Sequence, residues 1–482
     1  MIFSSLPFLF LFLPVLLLIY YAIPAKNMWV RNLALLIAGL IFFGWNSPLY
    51  MPLFAVIICV NYIFGRIVGK YTRSVHEDEI GGPAPGGKKR ALFFCVAFNI
   101  VILVFFRYYG FIAESFAHFG LNLPKYELAM PWGVSFVALS AISYVFDIYR
   151  GHARQKTNFA TFGAYLAMFP RLIVGPAARY SETEGELDDR EHSVRLFAAG
   201  VRTFIAGLAK VVILAVMSQK LWQAVLAVPR AELTIVGSWF GILAFGFSVY
   251  FYLSGASDMA IGLGKMLGFK FAENFDYPFM SKSITEFWRK WFISVTNWFR
   301  HYIFKPIRGE KNSIVRSHIG LLVVFLLLGL WHGASWNFVL WGVYFFALVA
   351  IEGLAPKKAT VARIIKKIPP FLGHIYVVFF VMVGWFIFAM NGISDSAGYF
   401  RTMFGSGALY SQADIYELLR NAAFIVICAL AASPIPKAKF YKTYETTRCG
   451  KVFSCVFGTL LFIICVSYLV DFPFVPFVNL AF

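Results

Sequence analysis

The chain has 482 residues, 60% of them hydrophobic and 14% charged, where an ordinary globular domain carries about 25% charged residues. Lys plus Arg (43) exceeds Asp plus Glu (24), a formal net charge of +19. With a mean hydropathy of +0.71, a soluble fold would expose more apolar surface than water tolerates, and disorder needs low hydrophobicity. What remains is an all-α polytopic membrane protein. The positive charges sit in short loops between apolar runs, so membrane topology explains them better than a nucleic-acid partner, and none is expected.

In chain order, apolar runs predict spans at 6–23, 30–47, 50–69, 91–113, 129–149, 198–218, 233–253, 319–334, 335–353, 371–390, 421–433 and 452–470, about 11–12 transmembrane helices at about 20 residues each. The first has no basic stretch before it and no A-x-A site after it, so it reads as a retained span. Residues 159–175 are interrupted by Pro170 and Arg171 and read as a re-entrant or interfacial piece. The loops at 24–29, 70–90, 150–158, 354–370 and 434–451 hold the Lys and Arg clusters, and all fall on the inner side if the N-terminus starts outside. That register puts 254–318 inside and the 332–337 turn toward the outer half. Gly81 to Gly87 reads as a flexible linker tip. No polar stretch is long enough for a separate soluble domain, so residues 1–482 read as a single integral membrane domain.

Six cysteines are scattered without a CxxC pair, so neither a disulfide framework nor a zinc site is indicated, and no metal is expected. There is no G-x-S-x-G, no G-x-x-x-x-G-K-[ST] and no H-E-x-x-H. What is informative is polarity inside apolar surroundings. Ser254-Gly-Ala-Ser-Asp258 follows a span; it is either a helix end in water or a place where Asp258 orients a basic or hydroxyl group. From Ser281 to Arg308, the residues Ile284, Trp288, Trp291, Val295, Trp298 and Tyr302 recur at helical steps, predicting one amphipathic helix at the membrane interface. That helix is either an anchor or the floor of a cavity in which Arg289 and Lys290 attract an anionic donor. His332, in Trp331-His-Gly-Ala-Ser-Trp336-Asn337, is the histidine that interrupts the long apolar run 319–353. A structural, hydrogen-bonded imidazole and a general base of pKa about 6.5 are both open there.

These residues carry a resemblance. Phe43-Gly-Trp45, Pro131-Trp-Gly-Val-Ser-Phe136, Ser143-Tyr-Val-Phe-Asp-Ile-Tyr-Arg-Gly151 and Phe169-Pro-Arg-Leu-Ile-Val-Gly-Pro176 come first. Ser254 to Gly264, Glu273-Asn-Phe-Asp-Tyr-Pro278, Ser283 to Trp291 and Trp331-His-Gly333 with Trp336 to Trp341 follow in the same order. The chain resembles bacterial membrane-bound O-acyltransferases of the alginate O-acetylation branch, with a motif core at about 130–345. The resemblance implies a helical ring around a tunnel and transfer of an acyl group, usually acetyl, from a cytoplasmic thioester toward the outside. It makes His332 the catalytic base. Arg289, Lys290, Trp291, Asn274, Asp258, Ser335 and Asn337 become candidates for donor or substrate binding. It further implies no bound cofactor, acetyl-CoA or another acyl thioester as donor, contact with membrane lipid, an extracytoplasmic acetyltransferase partner with a polysaccharide acceptor, and residence in the bacterial cytoplasmic membrane. D-alanyl or peptidoglycan acyl transfer, a transporter and a non-catalytic assembly subunit are the alternatives. The chain departs from the family pattern at Phe292, where a second histidine is common, at Phe345, at His301 in place of an aspartate, and at Ile387-Phe388-Ala389.

Overall fold

Helix starts in this chain are set by small polar residues. Asn158, Ser193, Thr234, Ser283 and Ser313 each accept a hydrogen bond from a backbone N–H in the first turn that follows, satisfying a donor the helix cannot satisfy itself. The computed structural model describes residues 1–45, 48–77, 86–117, 120–121, 123–124, 131, 133–172, 174–177, 179–309, 313–354, 369–390, 393–444 and 447–471. Among these residues the regular structure is helical throughout. Eight helices are long and apolar enough to cross a membrane: Tyr50–Lys70, Gly86–Ala117, Val194–Leu226, Ile235–Met266, Ile314–His332, Trp336–Gly353, Pro370–Ala389 and Arg448–Asp471. Phe8–Ala22, Met28–Gly44 and Val134–Tyr149 are shorter apolar helices. Every predicted span falls on a helix. Residues 78–85 of the 70–90 loop, with most of the Gly81 to Gly87 tip, and residues 355–368 of the 354–370 loop lie outside the described residues.

The structure differs from the sequence reading at three places. The span predicted at 233–253 continues to Met266, so Ser254 to Asp258 lies inside a helix and is not a helix end. The small residues there serve packing: a Cβ on Gly255 would stand 2.6 Å from the Gly207 carbonyl, and one on Gly262 2.6 Å from that of Gly200. Such spacing lets Ile235–Met266 lie directly on Val194–Ala209. The run 421–433 belongs to a longer helix, Gln412–Ala431, whose start is fixed by a reciprocal Ser411–Asp414 cap. The amphipathic helix predicted from Ile284 to Tyr302 is broken at Trp291–Phe292 into Ile284–Lys290 and Ile293–Phe299.

Residues 159–175 form Phe159–Leu166 and Phe169–Leu172. Phe162, Ala164, Tyr165, Leu166 and Phe169 are all buried in protein, the condition under which interrupted backbone is tolerated at membrane depth. Segments expected on the inner side meet one another. Lys156 pairs with Asp188 at 2.5 Å, Lys270 with Glu191 at 3.1 Å and Lys437 with Glu273 at 2.9 Å.

Candidate active site

His332 is the last residue of Ile314–His332, and Gly333 to Ser335 turn the chain into Trp336–Leu354. The two helices form a tight hairpin because glycines face backbone. A Cβ on Gly329 would run into the Phe338 carbonyl, and one on Gly342 would come 2.5 Å from that of Phe325. The helix end is held from outside the hairpin. Arg107, on Gly86–Ala117, donates to the His332 carbonyl at 2.6 Å, and the Tyr108 hydroxyl donates to the Leu330 carbonyl at 2.5 Å.

Aromatic rings surround the imidazole. Phe388 and Trp341 lie edge-on at 5.1 and 5.2 Å between centroids, and Phe338 lies at 6.3 Å. Trp341 in turn meets Trp288 at 5.5 Å, which places Ile284–Lys290 one ring away from His332. That short helix is tied to the hairpin by Glu352, whose carboxylate accepts from Ile284 N at 2.6 Å and from Thr285 N at 2.7 Å. An enclosure of this kind lowers the local dielectric, so a charge developing inside it is felt strongly.

The predicted site residues fall into two groups. Ser335 and Asn337 stand at the hairpin turn beside His332, with the Asn337 amide donating to the Phe388 carbonyl at 3.2 Å. Trp291 is buried and reaches the histidine through Trp385, at 5.1 Å, and then Phe388. The remaining candidates have other work. Asp258 pairs with Lys210 at 2.6 Å, on the interface between their two helices. Asn274 caps the broken helix: its carbonyl accepts from Ile293 N at 2.8 Å and its side-chain oxygen from Ser294 N at 3.1 Å. Lys290 pairs with Glu286 at 2.9 Å one turn away, and Arg289 is exposed.

Phe292 adopts a left-handed backbone, φ 45°, without being glycine, a costly choice for a bulky residue. Asn274 makes it tolerable by receiving the amides that follow. The Phe292 ring packs 5.9 Å from Trp331 and 5.5 Å from Phe275, so a hydrocarbon face adjoins the histidine's neighbour where the resemblance expects an imidazole.

Motif reading left Arg107, an intramembrane charge, out of the site, and with it Tyr108, Glu352 and the ring cage. Arg107 and Glu352 carried a signal, being charges inside apolar runs; their partners, far off in sequence, carried none. It also did not bring together Asp147, His152 and His301, whose ligand atoms lie within 4.8 Å of one another. This trio suits a metal ion poorly. Arg179 lies 3.2 Å from His301 Nδ1, so Nδ1 is the acceptor there, whereas a metal-bound imidazole donates through its second nitrogen. Burial, then Arg179, Lys305 and Arg150, also hold the His301 pKa below its ordinary value, and the same cations would repel a dication. Asp147 is already engaged by the Tyr302 hydroxyl at 2.6 Å and Ser181 N at 3.0 Å. A separate apolar cavity of about 590 Å³ is lined by Trp239, His374, Ile375, Phe379 and Phe404 among the described residues.

Among the described residues, eight helices long and apolar enough to cross a membrane, packed with shorter apolar ones, set the class: a polytopic helical membrane protein. Residues 149–392 match the model of the membrane-bound O-acyltransferase family. The chain is 35% identical to a probable alginate O-acetylase of Azotobacter vinelandii over 412 residues, 84% of this chain and 79% of that one. It is 35% identical to one of Pseudomonas putida over 458 residues, 93% and 90% of the two chains. A peptidoglycan O-acetyltransferase of Helicobacter pylori is 27% identical over 441 residues, 84% and 80%. The chain belongs to the membrane-bound O-acyltransferase family and is a multi-pass membrane O-acyltransferase.

Proposed function

We propose that this protein carries an acetyl group from a thioester on the cytoplasmic side to a hydroxyl of an extracellular or cell-wall polysaccharide, with His332 as general base. The observation that carries the reading is the caged histidine at the hairpin turn, within a chain 35% identical to probable alginate O-acetylases. A sugar hydroxyl is a weak nucleophile at neutral pH. The neutral imidazole takes its proton as the oxygen attacks the thioester carbonyl, assistance worth about 10²–10⁴-fold. The C–S bond then breaks, and the proton passes from the imidazolium to the leaving thiolate, so the histidine ends as it began. Ser335, Asn337 and the first N–H groups of Trp336–Leu354, which follow His332 at the hairpin turn, are assigned to steady the developing oxyanion.

The donor is acetyl-CoA or an acyl carrier's thioester, with no bound cofactor. Arg289, exposed beside the cage on Ile284–Lys290, is the cation assigned to its phosphates, with Lys290 next to it. Trp291 backs the cage through Trp385, Asn274 serves by holding the helix break beside it, and Asp258 serves through its pair with Lys210. The chain works in the bacterial cytoplasmic membrane with an extracytoplasmic acetyltransferase partner that presents the polysaccharide hydroxyl to it. Phe292 favours a second reading, an assembly subunit that keeps the fold and has lost part of the chemistry.

Deleting the gene and measuring alkali-released acetate from surface polysaccharide tests the proposal. The expected result is loss of O-acetyl esters, restored by the wild-type chain and not by His332→Gln. Unchanged esters in the deletion strain contradict the acceptor class; full restoration by His332→Gln selects the assembly reading.

A further inference from the structure

A helix that stops inside a membrane protein leaves carbonyls at its last turn without helical partners. Where water is scarce, each must be satisfied by protein. Ile314–His332 stops at its histidine. The Gly333 N–H reaches the Leu330 carbonyl at 3.1 Å, and the remaining help comes from a helix distant in sequence. Tyr108 donates to the same Leu330 carbonyl at 2.5 Å, and Arg107 to the His332 carbonyl at 2.6 Å. Ring contact between Phe111 and Trp336 at 6.0 Å, one turn further along, continues the same seam. An arginine within an apolar span is expensive and is retained where it does something a neutral residue cannot. Here it brings a full positive charge to the negative end of the helix dipole, at the residue that carries the imidazole.

We propose that Arg107 and Tyr108 are positioning residues for the reaction: they latch the backbone of His332 from the main-chain side, and so fix where the imidazole points within its cage. The inference rests on the reading of His332 as base. The latch grips the carbonyl of His332, and the rings of Trp341 and Phe388 limit motion about the side-chain torsions. Without Arg107 the last carbonyl would have to find another donor, and the shortest route is a change in the turn from Gly333 to Ser335. A displacement of about 1 Å at a reacting group is enough to cost on the order of 10²-fold in rate. The two side chains act at different points. Tyr108 holds the preceding turn, and Arg107 holds the histidine itself.

The test uses the full-length protein in membranes and in detergent. Arg107→Gln, Arg107→Lys and Tyr108→Phe are compared with wild type by three readouts: O-acetyl transfer in cells normalised to membrane-inserted protein, thermal melting, and the rate at which diethyl pyrocarbonate modifies the His332-bearing peptide, read by mass spectrometry. The expected result is a loss of about 10- to 100-fold in transfer for Arg107→Gln at near-wild-type melting, with a several-fold change in His332 modification. Arg107→Lys, which keeps the charge and a donor, recovers part of the loss, and Tyr108→Phe gives a smaller change of the same kind. Wild-type transfer by Arg107→Gln overturns the proposal, and so does an unchanged modification rate at His332 in a folded variant. If Arg107→Gln does not insert, Tyr108→Phe decides by the same two readouts. Normal transfer by His332→Gln in the same strains overturns the base assignment instead. The modification rates still report whether the latch positions His332.

Discussion

Asp258 and His332, two of the polar groups on the apolar helices of this protein, are held in opposite ways. Asp258 gives its side chain to Lys210 at 2.6 Å, on helices brought together by facing glycines. His332 is gripped by its main chain, through Arg107 at 2.6 Å, while its ring is surrounded by Trp341, Phe388 and Phe338. An ion pair consumes the chemistry of both partners and leaves a framework. A backbone latch fixes a residue through its carbonyl. The two groups thus differ in what is gripped: a side chain in Asp258 and a main-chain carbonyl in His332.

The largest effect that sharpens this contrast is a pair of substitutions measured side by side. His332→Ala is expected to lower transfer by about 10²-fold or more, with melting little changed. Asp258→Asn should do the reverse. It leaves Lys210 without its carboxylate, and because both side chains keep about a third of their surface the loss is about 2 kcal/mol, below that of a fully buried pair. Transfer per folded molecule should then stay within a few-fold of wild type. Transfer assays and thermal melts on both proteins check this, and a stable, inactive Asp258→Asn would break the comparison.

Gly342→Ala comes next. The added Cβ meets the Phe325 carbonyl at 2.5 Å, so the hairpin must open, at about 1–3 kcal/mol. Melting should fall, and transfer should fall further than melting explains because His332 moves with its helix. Gly353, where a Cβ meets nothing within 4 Å, is the control, and Gly353→Ala should be neutral in both assays.

The smallest effect concerns Glu286. Burial works against its charge, and the Lys282 N–H and the Lys290 ammonium overcome that, holding its pKa below the ordinary 4.5. A depressed carboxyl pKa contributes stability above the unfolded value and loses it as pH falls through the folded one. Since the pair is partly exposed, the contribution is below about 1 kcal/mol. Lys290→Gln should therefore lower melting slightly at pH 7 and make no difference well below pH 4, read from melts across that range.

Much of the fold was legible because bilayer thickness dictates run length: every predicted span falls on a helix. The break at Trp291–Phe292 was not, because helical periodicity runs straight across it; Ile284, Trp288, Val295 and Trp298 are buried on either side, and Phe gives no sign of a left-handed turn. Ser-Gly-Ala-Ser before Asp258 looked like a terminus for a related reason: small residues mark both chain breaks and close helix packing, and only the facing glycines distinguish them. His332 stood out because an imidazole in an apolar run is rare. Its latch did not, since Arg107 and His332 are 225 residues apart, and a hydrogen bond to a carbonyl leaves no trace in the sequence of the acceptor.

The His332 ring is the centre of the proposed chemistry, and one variant isolates it. His332→Gln keeps size and polarity, leaves the Arg107 bond to the carbonyl in place, and cannot take the proton. Single-turnover acetyl transfer by the purified, folded variant measures this directly, with melting recorded on the same sample. The expected rate is at least about 10²-fold below wild type at an unchanged melting temperature. Transfer within a few-fold of wild type would contradict proton transfer by this ring.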